Sequence, residues 1–234
     1  MTPRRVGILG GMGPEATVLL MSRVIAATPA ADDADHVPLI VDQNPQVPSR
    51  IAALIEGTGA DPAPVLAAMA RRLEGAAAEA LAMPCNTAHH YAPAIRAAAG
   101  VPLIDMVALS AEAAAQVAQG GRVGILASPA VQRIGLFDAA LAPHGLQAVY
   151  PADQPALLGA IRAIKRDGAT PAARAALAAA ARDLRNRGAA VQLVACTEFS
   201  LLADAAREEA EAIDTLDVLV AAIVRFARCE GGDG

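Results

Sequence analysis

Tryptophan is absent from this chain, and tyrosine and phenylalanine together make up only 2% of its residues. Nucleic-acid binding by base stacking needs aromatic platforms that are not here. A net charge of −5 supplies no basic stripe for phosphates, so a nucleic-acid partner is excluded. Lysine is nearly absent as well: of 19 basic residues, Lys165 is the only lysine. Cysteine is scarce and odd in number. Cys85, Cys196 and Cys229 are widely spaced, which fits neither a disulfide framework nor a paired-cysteine metal site. Such thiols belong in a reducing compartment, and the expectation is a cytoplasmic protein. No uncharged apolar run is long enough for a membrane span. Arg4-Arg5 before Val6-Gly7-Ile8-Leu9 has the look of an export signal, but Glu15 interrupts the run, and a strand–turn–helix reading fits better.

What is present is apolar and small: 55% hydrophobic residues and 18% charged ones over 234 positions. That composition belongs to a globular chain with ample core. Strands are expected at Arg5–Leu9, Val37–Val41, Glu79–Met83, Pro102–Ile104, Arg122–Leu126, Gln147–Val149, Val191–Ala195 and Glu211–Ile213. Most are continuous apolar runs, as in parallel strands covered on both faces. Ala-rich helical stretches alternate with them. Asp61-Pro62 and Thr170-Pro171 each set a capping residue before a proline suited to the first helical turn, and Gly100 and Gly188 stand where helices stop. The fold class is α/β with parallel sheets.

An internal repeat organises the chain. Val6-Gly7-Ile8-Leu9 recurs as Val123-Gly124-Ile125-Leu126, an offset of 117. Cys85-Asn86-Thr87 is echoed by Cys196-Thr197 at 111, and Ile104-Asp105 by Ile213-Asp214 at 109. The expectation is two pseudo-symmetric lobes, 1–106 and 107–214, with a helix over about 215–229 packing back on the first lobe and a frayed tail at 230–234. Two facing α/β lobes make a cleft, and ligands gather beyond the C-terminal ends of parallel strands.

Cys85 and Cys196 each sit where a strand runs into a helical stretch, and there the backbone N–H groups and helix dipole lower a thiol pKa. Cysteine is also a common buried hydrophobe, and Cys229, in the last helix, reads as incidental. Two opposed thiols suit a two-base inversion of a stereocentre: one takes a proton from carbon while the other delivers one to the opposite face. The carbanion needs fixed donors, for which backbone N–H groups, Asn86, Thr87 and Thr197 are candidates. Asn86 and Thr197 also suit helix capping.

The opening Gly7-Ile8-Leu9-Gly10-Gly11-Met12-Gly13-Pro14, the segment Asn44-Pro45-Gln46-Val47-Pro48-Ser49-Arg50, the run Met83-Pro84-Cys85-Asn86-Thr87-Ala88-His89 and Cys196-Thr197-Glu198 together resemble the aspartate/glutamate racemase family, most of all its aspartate racemase branch. The resemblance spans nearly the whole chain. It implies racemisation of an acidic amino acid without a cofactor, with Cys85 and Cys196 as the catalytic pair. It also implies that Arg50 and Lys165 hold the distal carboxylate, with Met12 and Ser128 as further substrate contacts. Arg50 offers a planar fork and Lys165 a compact point charge. Asn44, His89 and Glu198 are possible supporting residues.

Hydantoin, glutamate or maleate are alternative substrates on the same scaffold, and a two-lobe binding protein without chemistry is the alternative of another class. The glycine turn lacks the spacing of a nicotinamide site, and Asp32, Asp33, Asp35 and His36 read as a solvated loop rather than a metal site. The loop Ala127–Arg133 departs from the family: Ser128 keeps one hydroxyl where a further Gly-Thr pair is usual, and Arg133 is added. Ala-rich, apolar helix exteriors point to a homodimer.

Overall fold

The computed structural model describes residues 2–118 and 121–228. Cys229 and the expected tail at 230–234 lie outside the described residues. The first half runs β1 (Val6–Gly10), α1 (Pro14–Ala27), β2 (Leu39–Gln43), α2 (Ala63–Gly75), β3 (Ala80–Ala82), α3 (Ala92–Ala98), β4 (Leu103–Ile104) and α4 (Met106–Val117). The second runs β5 (Gly121–Leu126), α5 (Pro129–Arg133), α6 (Leu136–Leu141), β6 (Leu146–Val149), α7 (Gln154–Asp167), α8 (Pro171–Asn186), β7 (Val191–Val194), α9 (Ala203–Arg207), β8 (Glu211–Asp214) and α10 (Thr215–Arg228).

The strands form two all-parallel sheets of four, ordered β2-β1-β3-β4 and β6-β5-β7-β8, so the same topology occurs twice. All eight expected strands are present. The largest shift is in β2, which begins at Leu39 rather than Val37. Pro38 has no N–H for a ladder and contributes only its carbonyl, which accepts from the Val6 N–H.

Each sheet is covered on both faces, as the apolar runs anticipate. On β1, Leu9 packs among residues of α2 and α3 (Leu66, Met69, Leu73, Ile95), while Ile8 packs toward α1 and α10. Successive strand residues point to opposite faces, so one short run serves both. The repeated Val-Gly-Ile-Leu has a packing reason. A Cβ on Gly7 would lie 2.9 Å from the Ala78 Cβ and 3.0 Å from the Leu73 Cβ, and one on Gly124 would lie 2.8 Å from the Leu184 Cδ1. In both lobes a leucine near the end of the helix that leads into the third strand, Leu73 on α2 and Leu184 on α8, presses onto the first strand where the glycine leaves room.

Two helices cross over. Val107, Ala111 and Ala114 of α4 pack against Val123, Ile125 and Leu193 of the second sheet. Leu216, Leu219, Val220 and Ile223 of α10 pack with Val6, Ile8, Leu20 and Val24 of the first. Each half of the chain thus covers one face of the other half's sheet. Among the described residues no helix is long and apolar enough to cross a membrane.

Candidate active site

Cys85 and Cys196 occupy the same place in the two lobes, just past the C-terminal ends of β3 and β7, the second strand from one edge of each sheet. Both line one cavity between the lobes, together with Met12, Arg50, Asn86, Thr87, Ser128, Lys165, Thr197 and Glu198. The unfilled space there is about 40 Å³, enough for a water or two and too little for a diacid. It adjoins a mouth of about 460 Å³ formed by the turn before α1, Pro45–Arg50, Lys165 and Glu198. A wider groove, about 1000 Å³, runs along edge strand β6 and holds neither cysteine.

Neither cysteine is followed by a long helix. Thr87–Tyr91 and Phe199–Leu202 are short, tight helical turns, and α3 and α9 begin only after them. The expected lowering of both thiol pKa values by helix dipoles is corrected for Cys196. Its thiol is pushed well up, first by burial and then by the Glu198 carboxylate, against a smaller opposing pull from Lys165. Cys196 Sγ donates to Glu198 Oε2 at 3.0 Å. Lys165 Nζ lies 3.1 Å from the other oxygen, Oε1. That approach is an ion pair without hydrogen-bond alignment, since Oε1 has no aligned donor. Burial works against the Lys165 ammonium, but the Glu198 carboxylate beside it, helped by any thiolate charge on the two sulfurs, outweighs burial and raises its pKa, so it stays charged.

Asn86 is 2% exposed and reaches into the other half of the chain: its Nδ2 lies 3.0 Å from Thr215 Oγ1. The Thr215 hydroxyl donates to the Val194 carbonyl at 3.0 Å, so toward Asn86 it can only accept. This fixes the amide orientation and leaves Asn86 Oδ1 buried without a donor. Thr87 Oγ1 and Ser128 Oγ meet at 3.2 Å across the lobes.

His89 is buried outside the cavity. Its Nε2 accepts from the Met106 N–H at 3.3 Å, so Nδ1 carries the proton and donates to the Cys85 carbonyl at 2.9 Å. Burial lowers its pKa despite nearby Asp105, keeping the ring neutral. Asn44 lies outside the cavity too and shapes the turn after β2: its N–H donates to the Gly10 carbonyl and its Oδ1 accepts from the Gln46 N–H. Arg50 lines the cavity while one nitrogen, Nη1, donates to the Val47 and Pro48 carbonyls.

A model of the Asp/Glu/hydantoin racemase family matches residues 9–223. The chain belongs to that family. Among solved structures it is similar to the aspartate racemase of Picrophilus torridus, with 27% identity, 96% of this chain and 94% of that one covered, and a TM-score of 0.85. An aspartate racemase homologue from Pyrococcus horikoshii shares 19% identity over 96% of this chain and 99% of the other, TM-score 0.72. A glutamate racemase from Francisella tularensis in complex with D-glutamate shares 13% over 95% and 80%, TM-score 0.65. The last two are likenesses of fold.

Several features of this racemase-family site were not singled out in the sequence. Ser49, Ile51, Ile161 and Ala195 also line the cavity. Ile161 stands one helical turn before Lys165 on α7, a spacing that puts both on one face. The segment after Arg50 forms a wide helical turn, Ala52–Glu56, that the second lobe grips twice. Arg133 Nη1 donates to the Ile55 carbonyl at 2.9 Å, and Arg162 Nη2 lies 3.2 Å from Glu56 Oε1. The arginine added in the altered loop is therefore a tie between lobes. The acidic loop serves its own backbone: Asp32 accepts from the Asp33 N–H, and Asp35 from those of Ala31 and Asp32.

Proposed function

We propose that this protein racemises an acidic amino acid, aspartate first among them, by a two-cysteine, two-base proton transfer that needs no cofactor. The observation that carries the reading is the convergence of Cys85 and Cys196, one from each lobe, on a single small cavity with Arg50 and Lys165. Family membership and the aspartate racemase neighbour support amino-acid racemisation.

One sulfur, as thiolate, takes the Cα proton, and the other, as thiol, protonates the opposite face; the reverse reaction exchanges the roles. Cys196 rests protonated and is ready to act as the acid. When it must act as base, Glu198 Oε2 takes its proton, and Lys165 holds the carboxylate in place. Arg50 and Lys165 bind the distal carboxylate. Thr87, Ser128 and Thr197 offer hydroxyls to the α-carboxylate. Asn86 was expected to join them, but the oxygen it leaves free is an acceptor and suits the substrate ammonium. His89 acts behind Cys85, holding the carbonyl of that residue. Substrate enters from the mouth beside Pro45–Arg50, and the turn gripped by Arg133 and Arg162 must yield to admit it.

The test is proton exchange. Purified protein is incubated in D₂O with L- and D-aspartate, L-glutamate and alanine, without added cofactor, and the Cα proton is followed by NMR. Deuterium entering aspartate with loss of optical purity is the expected result. No exchange with any acidic amino acid overturns the proposal.

A further inference from the structure

Resting on the racemase reading, we infer that Thr215 is a positioning residue of the reaction: its single hydroxyl bridges the loop that carries Cys85 to the strand that leads into Cys196 and sets which face of Asn86 the substrate meets. Thr215 is fully buried and stands at the first position of α10, where the chain crosses from the second sheet to the first. The hydroxyl makes two bonds with different parts of the site. It accepts from Asn86 Nδ2, next in sequence to Cys85, and donates to the carbonyl of Val194, two residues before Cys196. One oxygen thus ties the residue after one thiol to the strand that ends at the other.

The bonds are directional. The Val194 carbonyl can only accept, so the Thr215 proton points there, and a lone pair is left for the Asn86 N–H. Without the hydroxyl, Asn86 Nδ2 loses its buried partner and the amide is free to turn over. It would then turn a donor to the position where Oδ1 now lies buried without one.

The bridge has no mirror image. The repeat places Met106 where Thr215 stands and Thr197 where Asn86 stands. Methionine has no hydroxyl, and the Met106 backbone N–H donates instead to His89. The two cysteine loops are therefore held differently. The Cys85 loop is tethered across the lobes through Asn86 and braced by His89, whereas Cys196 is tethered locally to Glu198 and Lys165.

The experiment compares Thr215→Val, which keeps the branched shape, with Thr215→Ser, which keeps the hydroxyl. Racemisation of aspartate by Thr215→Val should fall by about tenfold to a hundredfold in kcat, the scale of a small misplacement of reacting groups. Thr215→Ser should stay within a few-fold of the parent. The double variant Asn86→Ala, Thr215→Val should be no slower than Asn86→Ala alone, because Thr215 acts through Asn86. Equal losses in the Val and Ser variants, or losses that multiply in the double variant, overturn the inference.

A measurement on the unsubstituted protein stands apart from both turnover and the folding of variants. The Asn86 side-chain amide, assigned by its disappearance in Asn86→Ala, should exchange its bonded proton slowly with D₂O. Fast exchange of both amide protons removes the bridge. If the unsubstituted protein racemises nothing, the proposed function fails, while this exchange still decides the bridge.

Discussion

Cys196 and Glu198, two positions apart in the chain, are joined by a hydrogen bond from Sγ to Oε2 at 3.0 Å, and that bond gives the two thiols of the site different surroundings. Topological symmetry places the sulfurs in equivalent positions, but a local carboxylate holds the proton on one of them. The pair is symmetric in placement, and the carboxylate partner belongs to Cys196.

Glu198→Gln should therefore act in two opposite directions. Removing the negative charge frees Cys196 from the group that raises its pKa and leaves the Lys165 ammonium unopposed, so the thiolate fraction increases. Iodoacetamide should modify Cys196 faster at neutral pH, read by mass spectrometry of the peptide. Racemisation should nevertheless fall by about a hundredfold, because the proton acceptor for Cys196 is gone. Slower alkylation would show that the carboxylate is not what holds the proton there.

Substituting either thiol separates its half of the reaction. Cys85→Ser and Cys196→Ser should each lower racemisation by about 10²–10⁴-fold. Deuterium incorporation in D₂O should persist for one enantiomer in each variant, with opposite enantiomers for the two variants. Loss of exchange for both enantiomers in both variants would contradict one-sided bases.

Lys165→Ala should weaken aspartate by about tenfold in KM, the lower end of a charged hydrogen bond, since this side chain is partly exposed. Exchange of alanine, which has no distal carboxylate, should change far less. An equal effect on both would remove Lys165 from the distal site.

Arg133→Ala combined with Arg162→Ala should alter substrate admission more than stability. Both side chains are exposed, and such contacts are worth about 0–1 kcal/mol each. The melting temperature should move by a few degrees at most, while KM for aspartate changes severalfold as the Ala52–Glu56 turn is released. A large fall in melting temperature with unchanged KM would assign the two arginines to folding alone.

His89 supplies a pH dependence of stability. Burial lowers its pKa below the ordinary 6.5, so as pH drops past that value the unfolded chain binds a proton that the folded protein refuses. Stability should rise with pH through the window below about 6.5 and level off above it. In His89→Gln the slope in that window should be shallower, as measured by urea unfolding at stepped pH. An unchanged slope would mean that His89 titrates alike in both states.

The parallel sheets were legible because Val6-Gly7-Ile8-Leu9 and its counterpart at 123–126 carry both signals a covered strand needs, apolar on successive residues and glycine where a helix presses close. The placement of Cys85 and Cys196 was legible because the same residue type follows a strand in each repeat. What the sequence concealed depends on orientation. Nothing local in Cys196-Thr197-Glu198 says that the carboxylate turns back to accept a hydrogen bond from the sulfur. Thr215 lies 129 residues from its partner Asn86, a separation at which no periodicity reports contact. The wide turn after Arg50 was hidden for a similar reason: its second-lobe partners, Arg133 and Arg162, come from distant helices.

The exchange of α4 and α10 between sheets constrains how the molecule can be divided. A fragment ending before α4 would carry its own four strands yet leave Val6, Ile8 and Leu20 without the α10 residues Leu216, Leu219 and Ile223 that cover them. The second half, begun at β5, would leave Val123 and Ile125 bare where α4 now lies. Synthesis of the first half alone therefore exposes an oily face until the final helix emerges from the ribosome, and a gene cut at its apparent midpoint should give two sticky, aggregating pieces rather than two half-enzymes.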